Sequence, residues 1–227
     1  MVVEGIRDLR QFKVTKVAPL IKKFINHKRE EVRREAHLYF LELFELEGLN
    51  FLDDLKLPLS EWDQIQLLGE IKKIEDRKIK DISKWLKSEN EYVVLFVLTL
   101  VKHFNLLDTK EIMLSLLNHA NLEIKLKTIE TLTYFEIVEA KEILKNRYSD
   151  LTIKEKLAFF NLLEKTATKK DTLFAVSHID NDHFEIRYKA LCILKKIDVN
   201  LYDKLEKKSE DEAHNKIIHF IDYSYGV

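Results

Sequence analysis

The sequence predicts an all-α fold, a right-handed solenoid of antiparallel helix pairs. Three observations point there. Glycine and proline are scarce, four and two in 227 residues; sheet-rich folds need turn glycines and helical chains do not. One local pattern recurs along most of the chain at a period of about 31 residues, the mark of a repeat array. The most apolar stretch, EYVVLFVLTLVKHF at 91–104, falls within that pattern at mid-chain. A helix apolar on nearly every side must be covered on nearly every side, so elements before and after it are expected to pack on it.

The pattern is a capped helix opening with an acid, then a large apolar residue, then in several cases a base. The apolar anchor is Val32, Trp62, Tyr92, Ile124, Ile153 and Ile186, preceded by Glu31, Glu61, Glu91, Glu123, Thr152 and Glu185. These mark the second helix of each repeat, expected at 30–45, 61–74, 91–104, 123–135, 153–166 and 184–197. Capping signals support them: Ser60 with Asp63, Ser88 with Glu91, Thr152 with Glu155, and Asp182 with Glu185. The shorter first helices are expected at 14–26, 49–55, 79–87, 110–118, 140–148 and 170–179, with Pro58 closing the second of these. The chain reads as one continuous domain: a half repeat at 1–13, six repeats over 14–198, and a capping helix pair in 199–227. Because a solenoid begins with a capping unit, the half repeat VVEGIRDLRQF reads as the inner part of a longer protein, with an apolar edge of Val2, Ile6 and Leu9.

Composition excludes several function classes. With 38 basic and 39 acidic residues the net charge is −1, so no overall field draws the chain to nucleic acid or an anionic membrane. Gly5, Gly48, Gly69 and Gly226 stand alone, so dinucleotide fingerprints, phosphate loops and nucleophile elbows are missing. No small-molecule cofactor is expected. Cys192 is the only cysteine; it reads as a buried core thiol in a reducing, cytoplasmic setting. The run at 91–104 is short of the roughly 20 residues needed to cross a bilayer, so membrane association is expected only through a segment outside this sequence.

The units EEVRREAHLYFLELF and FEIRYKALCILKKI resemble HEAT repeats of the short bacterial type, in which an apolar residue is followed by Arg and, three residues later, Ala: Val32-Arg33 with Ala36, and Ile186-Arg187 with Ala190. The middle four repeats depart from this, with Asp63, Val93, Lys125 and Lys154 at the Arg position. The stretch FLDDLKLPLSEWDQ is similar to a bacterial HEAT group in which a membrane segment precedes the repeats. The resemblance implies an α-solenoid whose second helices line a concave, protein- or peptide-binding side, as a scaffold or as the soluble part of a membrane-associated assembly.

Columns of the aligned repeats translate into faces. Positions −1, +3 and +10 from the anchor lie within about 40° of one another on a helix and are read as the solvated stripe. That stripe carries Glu35, Ile65, Leu95, Lys102, Lys127, Tyr134, Lys156, Lys189 and Lys196. It is acidic at the start, apolar in the middle and basic at the end. Two readings stand: local packing between repeats, or a partner groove with an apolar centre and charged ends.

The remaining candidates favour structure over chemistry. Ser177, His178, Asp180, Asp182 and His183 fall in an inter-helix turn, where Asp and Asn cap and turn, and lack metal-loop spacing. His214 and His219 share no helix face. Arg33 and Arg187 read as braces on backbone carbonyls, and Trp62 and Trp85 as core. No nucleophile, base and orienting acid form a motif, so a non-enzymatic protein-binding module is expected. The alternative is a HEAT-like DNA glycosylase using Trp62 and Asp63; against it, DNA affinity needs many Lys and Arg contacts, so nucleic acid is disfavoured as a partner.

Overall fold

A computed structural model describes residues 1–74, 82–206 and 212–224 of the chain. The described residues form 14 α-helices and no strand. In order these are α1 (Val2–Gln11), α2 (Ala18–Ile21), α3 (Glu30–Phe44), α4 (Glu61–Lys73), α5 (Ser83–Leu86), α6 (Glu91–Phe104), α7 (Lys110–Leu116), α8 (Leu122–Tyr134), α9 (Val138–Asn146), α10 (Ile153–Thr166), α11 (Thr172–Val176), α12 (Phe184–Ile197), α13 (Val199–Glu206) and α14 (Glu212–Ser224). Among the described residues no helix is long and apolar enough to cross a membrane.

The long helices follow the sequence reading closely, and their caps say why. Ser60 and Thr152 each form a capping box with the acid three residues on, Asp63 and Glu155. At α6 the expected Ser88 cap is replaced: Asn90 accepts from the Tyr92 backbone NH, and Ser88 Oγ accepts from the Asn90 NH. α12 begins at His183 with no side-chain cap, so Asp182 does not serve there. Asn105 ends α6 in the left-handed conformation, which Asn tolerates better than most residues.

The first helices are more broken than the sequence suggests. The 14–26 segment yields only α2, led by Pro19, and a 3-10 turn at Lys22–Phe24. The second repeat has a ten-residue 3-10 stretch, Glu45–Asp54, instead of an α-helix. In that stretch Gly48 lies directly on the α3 backbone: a Cβ there would sit 2.2 Å from the Phe40 carbonyl oxygen. Only glycine permits this approach. Part of the expected 79–87 helix lies outside the described residues; the rest appears as α5.

Counting from the N-caps Arg29, Ser60, Asn90, Asn121, Thr152 and His183 gives steps of 31, 30, 31, 31 and 31. Three residues after each cap stand Val32, Asp63, Val93, Ile124, Glu155 and Ile186, all at most 2% exposed. Eight residues before each cap stand Ile21, Leu52, Ile82, Met113, Leu144 and Ala175, equally buried. These columns correct the anchors read from sequence. Trp62, Tyr92 and Ile153 are exposed, and the buried positions in their repeats are Asp63, Val93 and Glu155.

The chain divides into two compact units, Met1–Met113 and Leu114–Val227. In the first, α3 packs against α1, α4 and the 3-10 stretch, and α5 against α6. Its first cluster joins Ile6, Ile21, Val32, Ala36 and Tyr39, with Val3 and Leu9 packed on it; Ile6 is therefore core and not an open edge. In the second unit α10 packs against α8, α9 and α12, and α12 against α11, α13 and α14.

Polar ties within each unit join residues about one period apart. The carboxylate of Asp53 accepts from Trp85 Nε1 at 2.6 Å, and Asn90 Nδ2 donates to the Leu55 carbonyl. Asn26 bonds both the Asp54 carbonyl and the Lys56 NH, each at 2.7 Å. Lys141, 3% exposed, pairs with Asp171 at 2.8 Å. Arg33 and Arg187 brace turns as expected, donating to the His27 and Asn181 carbonyls.

Candidate functional site

The N-cap count decides which helix faces meet solvent. Two residues past each cap stand Glu31, Trp62, Tyr92, Glu123, Lys154 and Glu185, all exposed. Five past the cap on α4 and α6 stand Ile65 and Leu95. Trp62 is 55% exposed, Ile65 58% and Tyr92 42%, while Leu95 is half-buried. Two successive long helices thus carry an aromatic and an aliphatic residue one turn apart; the ring stands where the other four repeats place charge, and the aliphatic residue where three of those four carry Leu126, Leu157 and Tyr188.

Each end of these helices is charged. Glu61 and Glu91 open α4 and α6 and are exposed; Lys72, and Lys102 with His103, close them. The imidazole of His103 lies below its ordinary pKa because of burial and of the positive charge of Lys72. At their other ends, the Asn90 cap bonds the Leu55 carbonyl, just ahead of α4.

The nine stripe residues do not share one face. Glu35 is a correction: it is buried, its carboxylate held by Arg7 at 2.7 Å and Arg10 at 3.3 Å. The error came from the anchors. In cap register Glu35, Lys127 and Lys189 are six past the cap, Ile65 and Leu95 five, and Lys156 four. Lys127 pairs with Glu130 at 3.1 Å, and Lys156 lies over the Tyr148 ring at 5.0 Å. Lys189 and Lys196 do come together, both on Glu164: Lys189 Nζ pairs with its carboxylate at 3.2 Å and Lys196 Nζ donates to its carbonyl at 2.8 Å. Lys196 and Glu164 line a cavity of about 520 Å³ together with Glu136, Lys165 and Cys192. Tyr134, 51% exposed, lies on α8 in the same compact unit.

Sequence reasoning missed Trp62 and Tyr92, which it placed in the core. The capping box held the missing signal: Ser60 with Asp63 fixes Asp63 as the third helical residue, the column that is buried everywhere. An apolar-anchor search passes over a carboxylate there. Trp85, by contrast, is buried as expected.

Asp63 is structural. It is 1% exposed, caps α4 and accepts from Arg34 Nε at 2.5 Å, so it presents no carboxylate to a nucleobase beside Trp62. Glu155 does the same work in α10. Burial alone would raise its pKa, but hydrogen bonds from Lys125 and Thr152 and the Lys125 charge hold it below the ordinary value. Among the described residues no group of three His, Cys, Asp or Glu side chains is placed to hold a metal; His178 Nδ1 bonds the Phe174 carbonyl at 2.8 Å. A second cavity, about 450 Å³, lies among Phe184, Tyr188, Ile217 and Phe220.

No family profile matches the chain, and no curated protein matches it.

Proposed function

We propose that this chain is a non-enzymatic protein-binding module of the HEAT type, whose helix pairs stack as a right-handed solenoid and hold a protein or peptide segment on the outer side of the long helices. The observation that carries the binding reading is the exposure of Trp62 and Ile65, with Tyr92 and Leu95 at the equivalent positions of the next long helix. Large apolar side chains grouped on a rigid helical face and rimmed by charge are the features of a contact surface. The solenoid reading draws support from the constant cap spacing and from polar ties that join residues about one period apart, as nearest-neighbour stacking requires. A cytoplasmic location fits a lone buried thiol, Cys192.

Two experiments test this. A photo-crosslinking residue placed at Ile65 in cells is expected to give a discrete protein adduct, while the same residue at Leu173, 82% exposed on α11, gives none; equal labelling at both sites removes the binding reading. Small-angle scattering is expected to give a radius of gyration well above about 17 Å, the value for a compact globule of this length. A value at that figure removes the solenoid.

A further inference from the structure

The binding reading leaves its partner unnamed, and α4 by itself narrows the choice. Its exposed residues are Glu61, Trp62, Ile65, Gly69, Lys72 and Lys73. At 100° per residue they fall within an arc of about 120°, one face of one helix. Trp62, Ile65, Gly69 and Lys72 follow one another at steps of three, four and three, the a and d positions of a heptad. Gly69 is the odd member. A glycine inside a helix lowers stability relative to alanine, and nothing lies within 4 Å of the place its Cβ would take. The fold of this chain therefore does not require glycine there, and a close approach from outside gives it a use.

The face is bulky in its first half, where Trp62 and Ile65 stand 55% and 58% exposed. Its second half is hollow at Gly69 and ends on the flexible chains of Lys72 and Lys73. The exposed positions map onto themselves when α4 is read backwards about residue 67: 61 onto 73, 62 onto 72, 65 onto 69. Two copies of α4 laid antiparallel thus put Ile65 of each at Gly69 of the other, and the Glu61–Trp62 end of each beside Lys72 and Lys73 of the other. A cation then meets the Trp ring. Acid first and base last is common to helices and would choose no partner. The fit of Ile65 to a hollow and of Trp62 to lysine does choose, and the helix that supplies both is α4 itself. Lys73 already holds Glu70 at 2.7 Å on its own helix, whereas Glu61 and Lys72 have no ion pair among the described residues. A parallel pair would set ring on ring and leave Gly69 facing Gly69.

We infer that the α4 face binds a second copy of this chain, as a two-fold, antiparallel pair of α4 helices with Ile65 of each copy seated at Gly69 of the other. This rests on the protein-binding reading and names its partner. One 13-residue helix from each copy makes a small interface, so the dimer forms and dissociates with concentration.

Sedimentation equilibrium of the full chain tests it. The mass is expected to rise with concentration from 27.0 kDa towards twice that value, and Ile65→Lys to weaken the dimer at least tenfold. Glu61→Lys alone, and Lys72→Glu/Lys73→Glu alone, each set like charges together and are expected to weaken it as much. An equimolar mixture of those two variants is expected to restore the affinity, because unlike ends then meet at both sites. Gly69→Gln, a better helix former, is expected to melt higher in dilute solution by circular dichroism and yet to dimerise at least tenfold more weakly. A dimer indifferent to Ile65→Lys, or a mixture that restores nothing, overturns the α4 pairing. A chain that stays at 27.0 kDa while the photo-crosslinking residue at Ile65 captures a different protein overturns the second copy and leaves the protein-binding reading standing. No dimer and no adduct overturns both.

Discussion

His37 lies at the centre of α3 with its ring stacked 4.5 Å from Phe51 and its Nε2–H donating to the Ile25 carbonyl at 3.0 Å. Burial lowers its pKa from 6.5 to about 4, with the Arg33 charge adding, against the opposing pull of the Ile25 bond and the Asp63 charge. The unfolded chain therefore binds this proton first. Stability is whole above pH 6.5 and falls as pH drops from 6.5 towards 4, by about 3 kcal/mol in all. His37→Phe keeps the stack and removes the proton site. The difference in unfolding free energy between the two proteins, from urea titrations at pH 7 and pH 4, is expected to shift by that amount; a constant difference refutes the assignment. Asp171 has its own window. Burial would raise it, but hydrogen bonds from Lys141, Lys145 and the Thr168 NH hold it at about 2, so its contribution is present above pH 3.8 and is lost only as pH falls towards 2. Gly48 needs no titration: a Cβ 2.2 Å from one backbone atom and 2.5 Å from the next forces α3 and the 3-10 stretch apart. Gly48→Ala is expected to cost about 3 kcal/mol or more in a urea titration.

The long helices were legible because an apolar period runs through 13 to 15 residues of each, and a side-chain cap opens α4, α6, α8 and α10. Of the short ones α7 and α9 stand where expected, but those of four or five residues have no room for a period, and a close backbone contact such as Gly48 on Phe40 is invisible in a linear pattern. The candidate face was half legible. Ile65 and Leu95 came from the column reading, whereas Trp62 was hidden by an anchor rule that demands an apolar residue where α4 uses a buried carboxylate, and Tyr92 by standing directly before the apolar residue that is buried, Val93. The buried carboxylates of α4 and α10 do more than cap. Glu155 serves the Thr152 backbone and hydroxyl and pairs with Lys125 at 2.6 Å across to α8. Thr152→Ala removes one cap and should cost about 1 kcal/mol. Glu155→Ala removes the box and the tie between helices and leaves Lys125 unpaired in a mostly buried place, so roughly 2–4 kcal/mol is expected. Urea titrations of both variants check the order. Equal losses would reduce Glu155 to a cap and nothing more.

At the scale of the whole molecule the question is whether the period is only a pattern or also the unit of stability. The buried columns argue for the second. Asn90 and Asn121 both cap by their side chains, at α6 and α8. Val93 and Ile124 are the matching buried residues three past those caps, and Ile82 and Met113 the matching ones eight before. Deleting 91–121 removes one period and joins Asn90 directly to Leu122. Asn90 then caps α8, Ile124 takes the register of Val93, and α5 stands ahead of α8 as α7 did. Each repeat in a nearest-neighbour array needs only the repeats beside it, so this shortened chain is expected to stay helical and to melt cooperatively, at a lower temperature. Deleting 91–105 removes α6 but keeps α7, so two first-type helices follow each other with no long helix between. The second deletion discards less of the chain yet is expected to lose cooperative melting and expose apolar surface, read by circular dichroism and dye binding. If the 15-residue deletion is the milder of the two, stability follows the number of residues kept and not their register, and the array reading fails.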